Sequence, residues 1–139
     1  MDLYIYVMTP QEILWEGSVH QIILQTNSGQ MGVLKNHVSL VTSLEVGVLL
    51  IQEQEQGDWL PLAVMGGFAK IHKNKVFILV NDAEFAALIE KDEAEQAFNL
   101  AKIQMQQAIS RKEKLEAKFV FMRAQVRYKA IKKLTGYPL

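Results

Sequence analysis

Hydrophobic and polar positions alternate with a period of two through much of the first 85 residues. The alternation is clearest over residues 3–8, 22–25 and 76–80, and it predicts β-strands because successive side chains of a strand point to opposite faces. Turn-forming residues separate these runs at short intervals, as in an all-β sandwich or barrel. The run from Val46 to Ile51 is apolar at nearly every position, which favours a closed two-layer β structure over an open sheet with one solvated face.

Beyond about residue 90 the apolar period becomes 3.6, which is typical of amphipathic helices. Asp92 precedes Glu95 by three residues, and Ser110 precedes Glu113 in the same way. This capping-box spacing predicts helix starts at about 92 and 110, with helices of about 18 and 24 residues. Gly136, followed by Pro138, predicts the stop. The two apolar stripes consist of Ala94, Ala97, Phe98, Ala101, Met105 and Ala108, and of Leu115, Phe119, Met122, Val126, Ala130 and Leu134.

The segment around Ser110 contains neither glycine nor proline, so the two helices could fold as an antiparallel hairpin or run on as one. A continuous helix over residues 92–134 would reach about 64 Å at 1.5 Å per residue. Much of the facing surface is alanine, which buries little apolar area. Two interpretations stay open: a weakly held hairpin with an extended state close in free energy, and a permanent hairpin.

Composition divides the chain at nearly the same place. Seven of the eight glycines lie at or before Gly67. Residues 1–84 carry four Lys against nine Asp or Glu, a net charge of −5, whereas residues 85–139 carry eleven Lys or Arg against six acids, a net charge of +5. We therefore expect a β-sandwich domain over residues 1–88 and a basic helical domain over residues 89–139.

The sequence offers no catalytic, cofactor-binding or metal-binding motif. There is no cysteine, and His20, His37 and His72 are far apart, so no ligand pair such as H-x-x-x-H is present. The spacing of Gly29 and Gly32 fits neither a P-loop nor a dinucleotide fingerprint. No apolar run reaches the roughly 18 residues needed to span a bilayer. These observations predict a binding protein without an active site.

The basic helix is the candidate binding surface. From residue 111 to residue 133 there are nine Lys or Arg and two acids, a net charge of +7. Such a helix could meet nucleic acid, an anionic membrane or an acidic protein. We favour an acidic protein, since no aromatic residues form a stacking platform for bases and the apolar stripe is needed for the hairpin; a solvated face without a partner stays the alternative. The candidate contacts are Arg111, Lys112, Lys118, Arg123 and Arg127, the last two expected on the outer and flanking parts of the second helix.

Three segments, in this order, resemble one family. They are Ile23 to His37, with Gly-Gln-Met-Gly-Val-Leu-Lys-Asn-His at its end, Met65 to Ala69, which reads Met-Gly-Gly-Phe-Ala, and Leu79 to Glu84. Followed by two basic helices, they are similar to the epsilon subunit of the rotary proton-translocating ATP synthase, most of all its cyanobacterial and chloroplast form. The resemblance covers nearly the whole chain.

The resemblance implies an N-terminal β-sandwich of about ten strands followed by a C-terminal antiparallel two-helix hairpin. It also implies a non-catalytic subunit of the central stalk, whose sandwich joins the gamma subunit to the c-ring and whose helices meet gamma and the beta subunits and inhibit ATP hydrolysis. The protein would be peripheral to the thylakoid membrane, on its stromal or cytoplasmic side. By position, Ser28, Gly29, Gln30 and Met31 match the segment that rests on the c-ring, and Thr9, His37 and Thr42 match positions near gamma.

One motif departs from the pattern. Bacterial relatives that bind ATP on the hairpin carry I/L-D-x-x-R-A, where this chain has Ile89 to Ala94, with Glu90 for the Asp and Glu93 for the Arg. An acid in place of the Arg would repel phosphate, so we expect no cofactor. Two rival interpretations are a free-standing adaptor with a basic coiled-coil arm, which would form a stable homodimer, and a small β-domain enzyme, which would show a deep pocket with convergent titratable groups.

Overall fold

The computed structural model describes residues 2–134. Within them the β-sandwich comes first, followed by a short 3₁₀ helix and two α-helices. The strands are β1 (Leu3–Met8), β2 (Ile13–Val19), β3 (Gln21–Thr26), β4 (Gly29–Val33), β5 (Leu40–Gln52), β6 (Trp59–His72), β7 (Lys75–Val80) and β8 (Ala83–Phe85). The 3₁₀ helix spans Ala86–Leu88, and the α-helices are α1 (Lys91–Gln107) and α2 (Arg111–Leu134).

Hydrogen bonds join the strands in the order β2, β1, β7, β6, β5, β3, β4, with β8 beside β6. All neighbours are antiparallel except β1 and β7, which are parallel. The first half of β6 pairs with β8 and its second half with β7. The sheet thereby folds over on itself, and its two halves form the two layers of the sandwich.

The long strands β5 and β6 explain the strand number. Their pairing lapses between Glu45 and Gly66, where Gly66 and Gly67 have φ angles of 90° and 153°. A Cβ on Gly67 would also collide with the backbone of Leu79 and Val80. Counted as two segments each, β5 and β6 raise the eight strands of residues 2–134 to the ten that the resemblance implies, and the sandwich-plus-hairpin fold is confirmed.

The main core lies between the two layers. It is built from residues that alternate along the strands, such as Leu3, Ile5 and Val7, all fully buried. The buried members of this cluster that the structure describes come from residues 3–80. The sandwich therefore buries an apolar core to which the helices contribute nothing.

A second apolar cluster lies between β5, β6 and the helices. Val48 and Leu50 of β5 face this cluster, while Leu49 and Ile51 face the main core. From α2 come Val126, Ala130 and Ile131, and from α1 comes Ala94. The run from Val46 to Ile51 is apolar on both sides because the helices cover its outer face.

The helices form the hairpin, and residues 108–110 connect them. Glu113 N–H donates to Ser110 Oγ at 3.1 Å, as the capping box predicts, and α2 starts at the next residue after Ser110. The predicted helix start at about residue 92 is confirmed, since α1 begins at Lys91. Asp92 is not its cap, however: the helix follows Glu90, whose side chain makes no capping hydrogen bond, and Asp92 lies inside the first turn. There its charge still favours the helix N-terminus. The predicted stop at Gly136 lies outside the described residues.

The two apolar stripes are covered only near the sandwich. Phe98 stacks on Phe121 and Tyr128, with ring centroids 5.7 and 4.9 Å apart, and Ala101 is buried. Toward the tip, in contrast, Leu115 is 64 % and Phe119 62 % exposed. The hairpin is thus closely packed at its base and weakly packed at its tip, where packing stabilises it little.

Candidate interaction surfaces

An ion-pair cluster fastens α2 to the rest of the protein. Arg127 Nε lies 3.0 Å from Glu84 Oε1, and Arg127 Nη2 lies 3.0 Å from Glu93 Oε2. Arg123 Nη2 lies 3.2 Å from Glu84 Oε1 and 3.7 Å from Asp82 Oδ2. We call these five residues the latch. Because Asp82 and Glu84 follow β7 and Glu93 lies on α1, the latch joins the sandwich and both helices.

Arg127 and its acidic partners in the latch differ in exposure. The side chain of Arg127 is 11 % exposed, whereas those of Glu84 and Glu93 are 32 % and 53 % exposed. Hydrogen bonds from Arg127, together with its positive charge, hold the pKa of the Glu93 carboxyl below its ordinary value. The hydrogen bond to Glu93 is the main cause that raises the pKa of Arg127, against the opposing effect of burial. Water screens the acidic side, so the latch can stabilise docking without making it permanent.

The latch corrects one expectation from the sequence. Arg127 does not lie on the outer part of α2 but is largely enclosed between Glu84 and Glu93. Its spacing of four residues from Arg123 indicates that the two arginines could meet the same partner, since residues four apart share one helix face. The positions of Asp82 and Glu84 beside that face could not be predicted, because they depend on how the hairpin docks.

The other candidate contacts of α2 are free of the latch. Arg111, Lys112 and Lys118 are exposed, and within residues 2–134 the salt bridges all involve Arg123 or Arg127. These three side chains lie toward the tip of the hairpin and leave a basic surface there. The structure therefore separates the five predicted basic contacts into two that hold the hairpin and three that face solvent.

The turn between β3 and β4 is built to be exposed and tight. Thr26 Oγ1 donates to Gly29 O at 2.8 Å and accepts from Ser28 N–H at 3.2 Å. Gly29 has a φ of 109°, a conformation that glycine adopts readily and other residues rarely do. Ser28, Gly29 and Gln30 are exposed and Met31 is half-buried. A Cβ on the nearby Gly32 would meet no atom within 4 Å, so Gly32 is not required by packing within the chain.

A second exposed surface lies on the outer face of the layer formed by β1, β7, the second half of β6 and the first half of β5. Phe68 is 60 %, Val41 68 % and Leu79 45 % exposed. Phe77 stacks on Tyr6 with ring centroids 5.0 Å apart and planes at 2°. We call Tyr6, Val41, Phe68, Phe77 and Leu79 the outer patch. Its side chains share one face because the register pairs Phe68 with Leu79 and Phe77 with Tyr6. The period-two pattern of the sequence predicts that Phe77 and Leu79 lie on one face, since they alternate with the buried residues of β7.

Two of the predicted gamma contacts border the outer patch. Thr9 follows Met8, and Thr42 precedes Ser43; Met8 and Ser43 belong to the row of paired residues that contains Leu79 and Phe68. From Met8 to Ser43 this row spans three strand spacings, about 14 Å. Thr9 Oγ1 accepts from Glu12 N–H at 3.3 Å in the turn between β1 and β2, and the hydroxyl of Thr42 donates to Ser43 O at 3.2 Å.

The third predicted contact, His37, lies in the connection that leads from β4 to β5. Its Nδ1 is 2.8 Å from Val38 O, and Val38 is 70 % exposed. Thr9 and Thr42 thus lie beside the outer patch, whereas the segment of His37 lies near the β6–β7 turn, where Asn36 N–H donates to Asn74 Oδ1 at 2.6 Å. Ser28 to Met31 lie at the other end of the strand order. The sandwich therefore presents two separate candidate surfaces.

Comparison with known proteins decides the family. Residues 2–86 match the family described as ATP synthase, Delta/Epsilon chain, beta-sandwich domain. The chain is 49 % identical over 134 residues to the chloroplastic ATP synthase epsilon chain of Chlorella vulgaris, covering 96 % of this chain and 98 % of that one. It is 50 % identical over 131 residues to that of Oltmannsiellopsis viridis, covering 94 % and 98 %. The chain belongs to the ATP synthase epsilon chain family.

A solved structure shows the same fold at lower identity. A chain in the cryo-EM structure of the Euglena gracilis mitochondrial ATP synthase, OSCP/F1/c-ring, superposes with a TM-score of 0.81 at 22 % identity, covering 94 % of this chain and 81 % of that chain. At that identity the likeness establishes the fold. Members of the epsilon chain family are non-catalytic subunits, and the chain is therefore not an enzyme in its own right.

Glu93, which this epsilon-family chain has in place of the Arg of the ATP-binding motif, takes part in the latch. Glu93 accepts hydrogen bonds from Nη1 and Nη2 of Arg127, at 3.3 and 3.0 Å. These two donors, which a phosphate group could otherwise use, already face a carboxylate. Within residues 2–134 there is no group of three or more His, Cys, Asp or Glu able to hold a metal ion. Over the same range no helix is long and apolar enough to cross a membrane.

Proposed function

We propose that the chain is a central-stalk subunit of a proton-translocating ATP synthase. In this role the sandwich joins the gamma subunit to the c-ring, and the basic hairpin inhibits ATP hydrolysis by contacting gamma and the beta subunits. Relatives at 43–50 % identity are named ATP synthase epsilon chains, which supports the assignment. Chains of similar fold occur in assemblies described as OSCP/F1/c-ring and as central stalk/c-ring.

The observation that carries the proposal is the pair of separate surfaces on one sandwich. The outer patch lies on β1, β5, β6 and β7, and the largely exposed segment Ser28 to Met31 forms the end of the β3–β4 turn and the start of β4, at the far end of the sheet. A contiguous exposed apolar patch on a small protein marks an interaction surface. We assign the outer patch, with Thr9 and Thr42 beside it and His37 in the β4–β5 connection, to gamma, and the glycine-containing turn to the c-ring. A rigid body with two such surfaces is suited to transmit rotation between two partners.

The hairpin supplies the regulatory part of the proposal. Its base is held by the latch and the second apolar cluster, while its tip exposes apolar residues and the basic side chains Arg111, Lys112 and Lys118. When α2 leaves the sandwich, Arg123 and Arg127 lose their internal acids and join that basic surface. We propose that this released form meets an acidic surface of the catalytic head, so that inhibition depends on the balance between docked and released states.

The proposed location follows from the named relatives. The epsilon chains to which this chain is similar are chloroplastic. We place the protein on the stromal or cytoplasmic side of a thylakoid membrane, peripheral to it and held there by the complex. The proposed division is a sandwich domain over residues 1–88 and a regulatory hairpin over residues 89–139.

The test of the stalk role uses Phe68, the most exposed aromatic residue of the outer patch. Phe68→Asp places a charge in the patch and should lower the affinity for an epsilon-depleted ATP synthase at least about tenfold. Its melting temperature should stay close to that of the parent chain, since an exposed substitution changes stability by only about 0.5 kcal/mol. Leu88→Asp is the matched control, because Leu88 is 82 % exposed outside the patch. If both variants lose affinity equally, or if neither loses affinity, the assignment of this patch to gamma is contradicted.

A second readout of the same experiment separates the rival interpretation. The chain should rebind as one copy per complex and restore the coupling of ATP synthesis to the proton gradient. A chain that instead stays a stable homodimer through its helices, without rebinding, would favour the adaptor with a coiled-coil arm.

A further inference from the structure

All four lysines among residues 1–84 lie at one end of the sandwich. They are Lys35, Lys70, Lys73 and Lys75, each of them exposed, and we call them the basic corner. Lys73 lies in the turn between β6 and β7, with Lys70 near the end of β6 and Lys75 at the start of β7. Lys35 is brought to the same place by its neighbour Asn36, whose N–H donates to Asn74 Oδ1 at 2.6 Å. Two separate connections of the sandwich thus converge on one charged surface.

The basic corner is not neutralised by the rest of the described chain. Within residues 2–134 the salt bridges all involve Arg123 or Arg127, so none of the four lysines is paired with a carboxylate there. Asp2, which precedes β1, lies beside the corner by register; the four lysines and this acid together carry a net charge of +3. The turn at the opposite end of the β5–β6 hairpin is acidic instead, with Glu53, Glu55 and Asp58.

The β6–β7 turn gives no structural reason for a lysine at position 73. Lys73 and Asn74 are the two residues between the paired His72 and Lys75, and their φ angles are 48° and 63°. A two-residue hairpin turn with both φ angles positive favours Asn, Asp or Gly at its central positions. Asn74 meets this preference and Lys73 does not. The lysine therefore costs the turn some stability and gains no internal ion pair in return.

The basic corner is continuous with the outer patch. Lys70 pairs with Phe77 on one side and with Val41 on the other, and paired residues share one face of a sheet. Lys75 lies two residues from Phe77 and so points to the same face. Lys70 and Lys75 are diagonal neighbours, a relationship that places residues about 7–8 Å apart. A partner that covers the apolar side chains of the patch would therefore bring its own groups within reach of these two lysines.

We propose that the basic corner binds a carboxylate-rich segment of the protein that covers the outer patch. Naming that protein as gamma rests on the proposed function, whereas the acidic chemistry of the segment follows from the unpaired lysines. A localised protein segment fits better than an anionic membrane or a nucleic acid. Residues 1–84 carry a net charge of −5, so an extended anionic surface would also face the acids of the sandwich. The patch supplies contact area, while the corner orients the partner and speeds the encounter.

The first test uses the isolated full chain and needs no ATP synthase. Hexaglutamate is titrated in, with hexaglutamine as the neutral control, and amide chemical shifts are followed by NMR. We expect saturable shifts at residues 35 and 70–75 with hexaglutamate alone, and their loss in Lys70→Gln with Lys75→Gln. The basic helix α2 will give a separate set of shifts. Shifts confined to α2 would overturn the proposal.

The second test measures association with epsilon-depleted ATP synthase by stopped flow. Lys70→Gln with Lys75→Gln should lower the association rate constant at least about fivefold at low salt and make it less sensitive to added salt. The matched control is Lys91→Gln with Lys102→Gln, which removes the same charge from exposed positions of α1 and should associate as the parent does. Equal rates in the parent and both variants, or equal slowing in both variants, would overturn the proposal.

A third variant separates charge from folding. Lys73→Asn removes one charge of the corner and suits the positive φ angle, so its melting temperature should equal or exceed that of the parent while association slows. A folding defect cannot produce this combination. A rise in melting temperature with no change in the association rate would overturn a role for Lys73.

Two other occupants of the corner are outcomes of the same experiments. Binding to phosphatidylglycerol vesicles that requires Lys70 and Lys75 would assign the corner to a membrane, and self-association that requires them would assign it to a second copy of the chain; either would overturn the proposal. A parent chain that does not rebind the enzyme would contradict the proposed function. The hexaglutamate titration then decides by itself whether the corner binds carboxylates.

Discussion

Arg127 and Glu93 form a two-point ion pair between α2 and α1, with Nη1 3.3 Å from Oε1 and Nη2 3.0 Å from Oε2. Arg127 also reaches Glu84 through Nε at 3.0 Å. One largely buried guanidinium thus connects the two helices to each other and to the end of the sandwich. Because Arg127 and its two partners lie on three different segments, its loss should affect docking of the hairpin more than the folding of either helix.

The first prediction concerns removal of this cation. Arg127→Gln leaves Glu84 and Glu93 without their main partner and should lower the free energy of unfolding by about 1.5–3 kcal/mol, the range for hydrogen bonds to charged groups. Glu93→Gln should loosen the hairpin less, because Glu93 is half exposed. Urea unfolding measures the stability, and hydrogen exchange of α2 amides measures docking. The control is Glu95→Gln, which changes an exposed acid on the same helix as Glu93 and should keep the stability and the exchange rates of the parent. If the protection of α2 amides were unchanged in Arg127→Gln, a role for the latch would be contradicted.

The second prediction is a pH dependence of docking. Arg127 lowers the pKa of Glu93 in the folded protein, so the unfolded state binds more protons in the interval between the two pKa values. The contribution of Glu93 is therefore complete above the ordinary glutamate pKa of about 4.3 and is lost as the pH falls through the lowered folded-state value. Hydrogen exchange of α2 should speed up across this interval. Asp82 and Glu84 face the same arginines and could add a pH dependence of their own. The effect of Glu93 is therefore the difference in the pH dependence of exchange between the parent and Glu93→Gln. If the two chains show the same pH dependence, the prediction is refuted.

Local patterns in the sequence predict the elements but not how they dock. The alternation of Leu3, Ile5 and Val7 and the capping box at Ser110 act within one segment, so both could be found from the residues alone. Asp92 was misleading because its spacing to Glu95 is equally compatible with a position inside the first turn. The latch and the outer patch depend on long-range register, such as the pairing of Phe68 with Leu79, which no local pattern specifies.

The third prediction concerns a chain that ends at Ile89. The main core draws on residues 3–80, so the sandwich should fold without the helices and still bind the stalk. Loss of α1 and α2 uncovers Val48 and Leu50, which should lower the melting temperature and increase self-association. Circular dichroism and light scattering measure these effects. A truncated chain that is unfolded at all concentrations would mean that the helices are part of the folding unit.

The fourth prediction separates two glycines of the β3–β4 region. Gly32→Val finds open space around the new side chain and should keep the stability of the parent while lowering affinity for the stalk by steric conflict with the c-ring. Gly29→Ala places a Cβ at a φ of 109° and should lower stability by about 1 kcal/mol or more. Thermal melts and binding to the epsilon-depleted enzyme are measured on both. If Gly32→Val binds normally, this strand does not approach a partner closely.

The fifth prediction addresses the exposed basic surface near the hairpin tip. Arg123 and Arg127 are unsuitable for charge reversal, because an acid at either position would face Glu84. An acid in place of Arg127 would also face Glu93. Arg111→Glu, Lys112→Glu and Lys118→Glu change exposed positions instead, and each should alter stability by no more than about 0.5 kcal/mol. An acid in the first turn of α2 also suits the helix dipole. The triple reversal should relieve inhibition of ATP hydrolysis by the reconstituted enzyme, because it turns attraction to an acidic surface into repulsion.

Its control exchanges the same residues without changing their charge, as Arg111→Lys, Lys112→Arg and Lys118→Arg, and inhibition should then persist. Added salt should weaken inhibition by the parent chain, since exposed charges are largely screened beyond about 8 Å at physiological ionic strength and at shorter distances as salt is added. Glu93→Gln should act in the opposite direction and strengthen inhibition, because it loosens the latch and keeps every cation. Inhibition that is insensitive to salt and survives the triple reversal would show that the tip does not act through charge, and the apolar side chains of Leu115 and Phe119 would then be the surface to change.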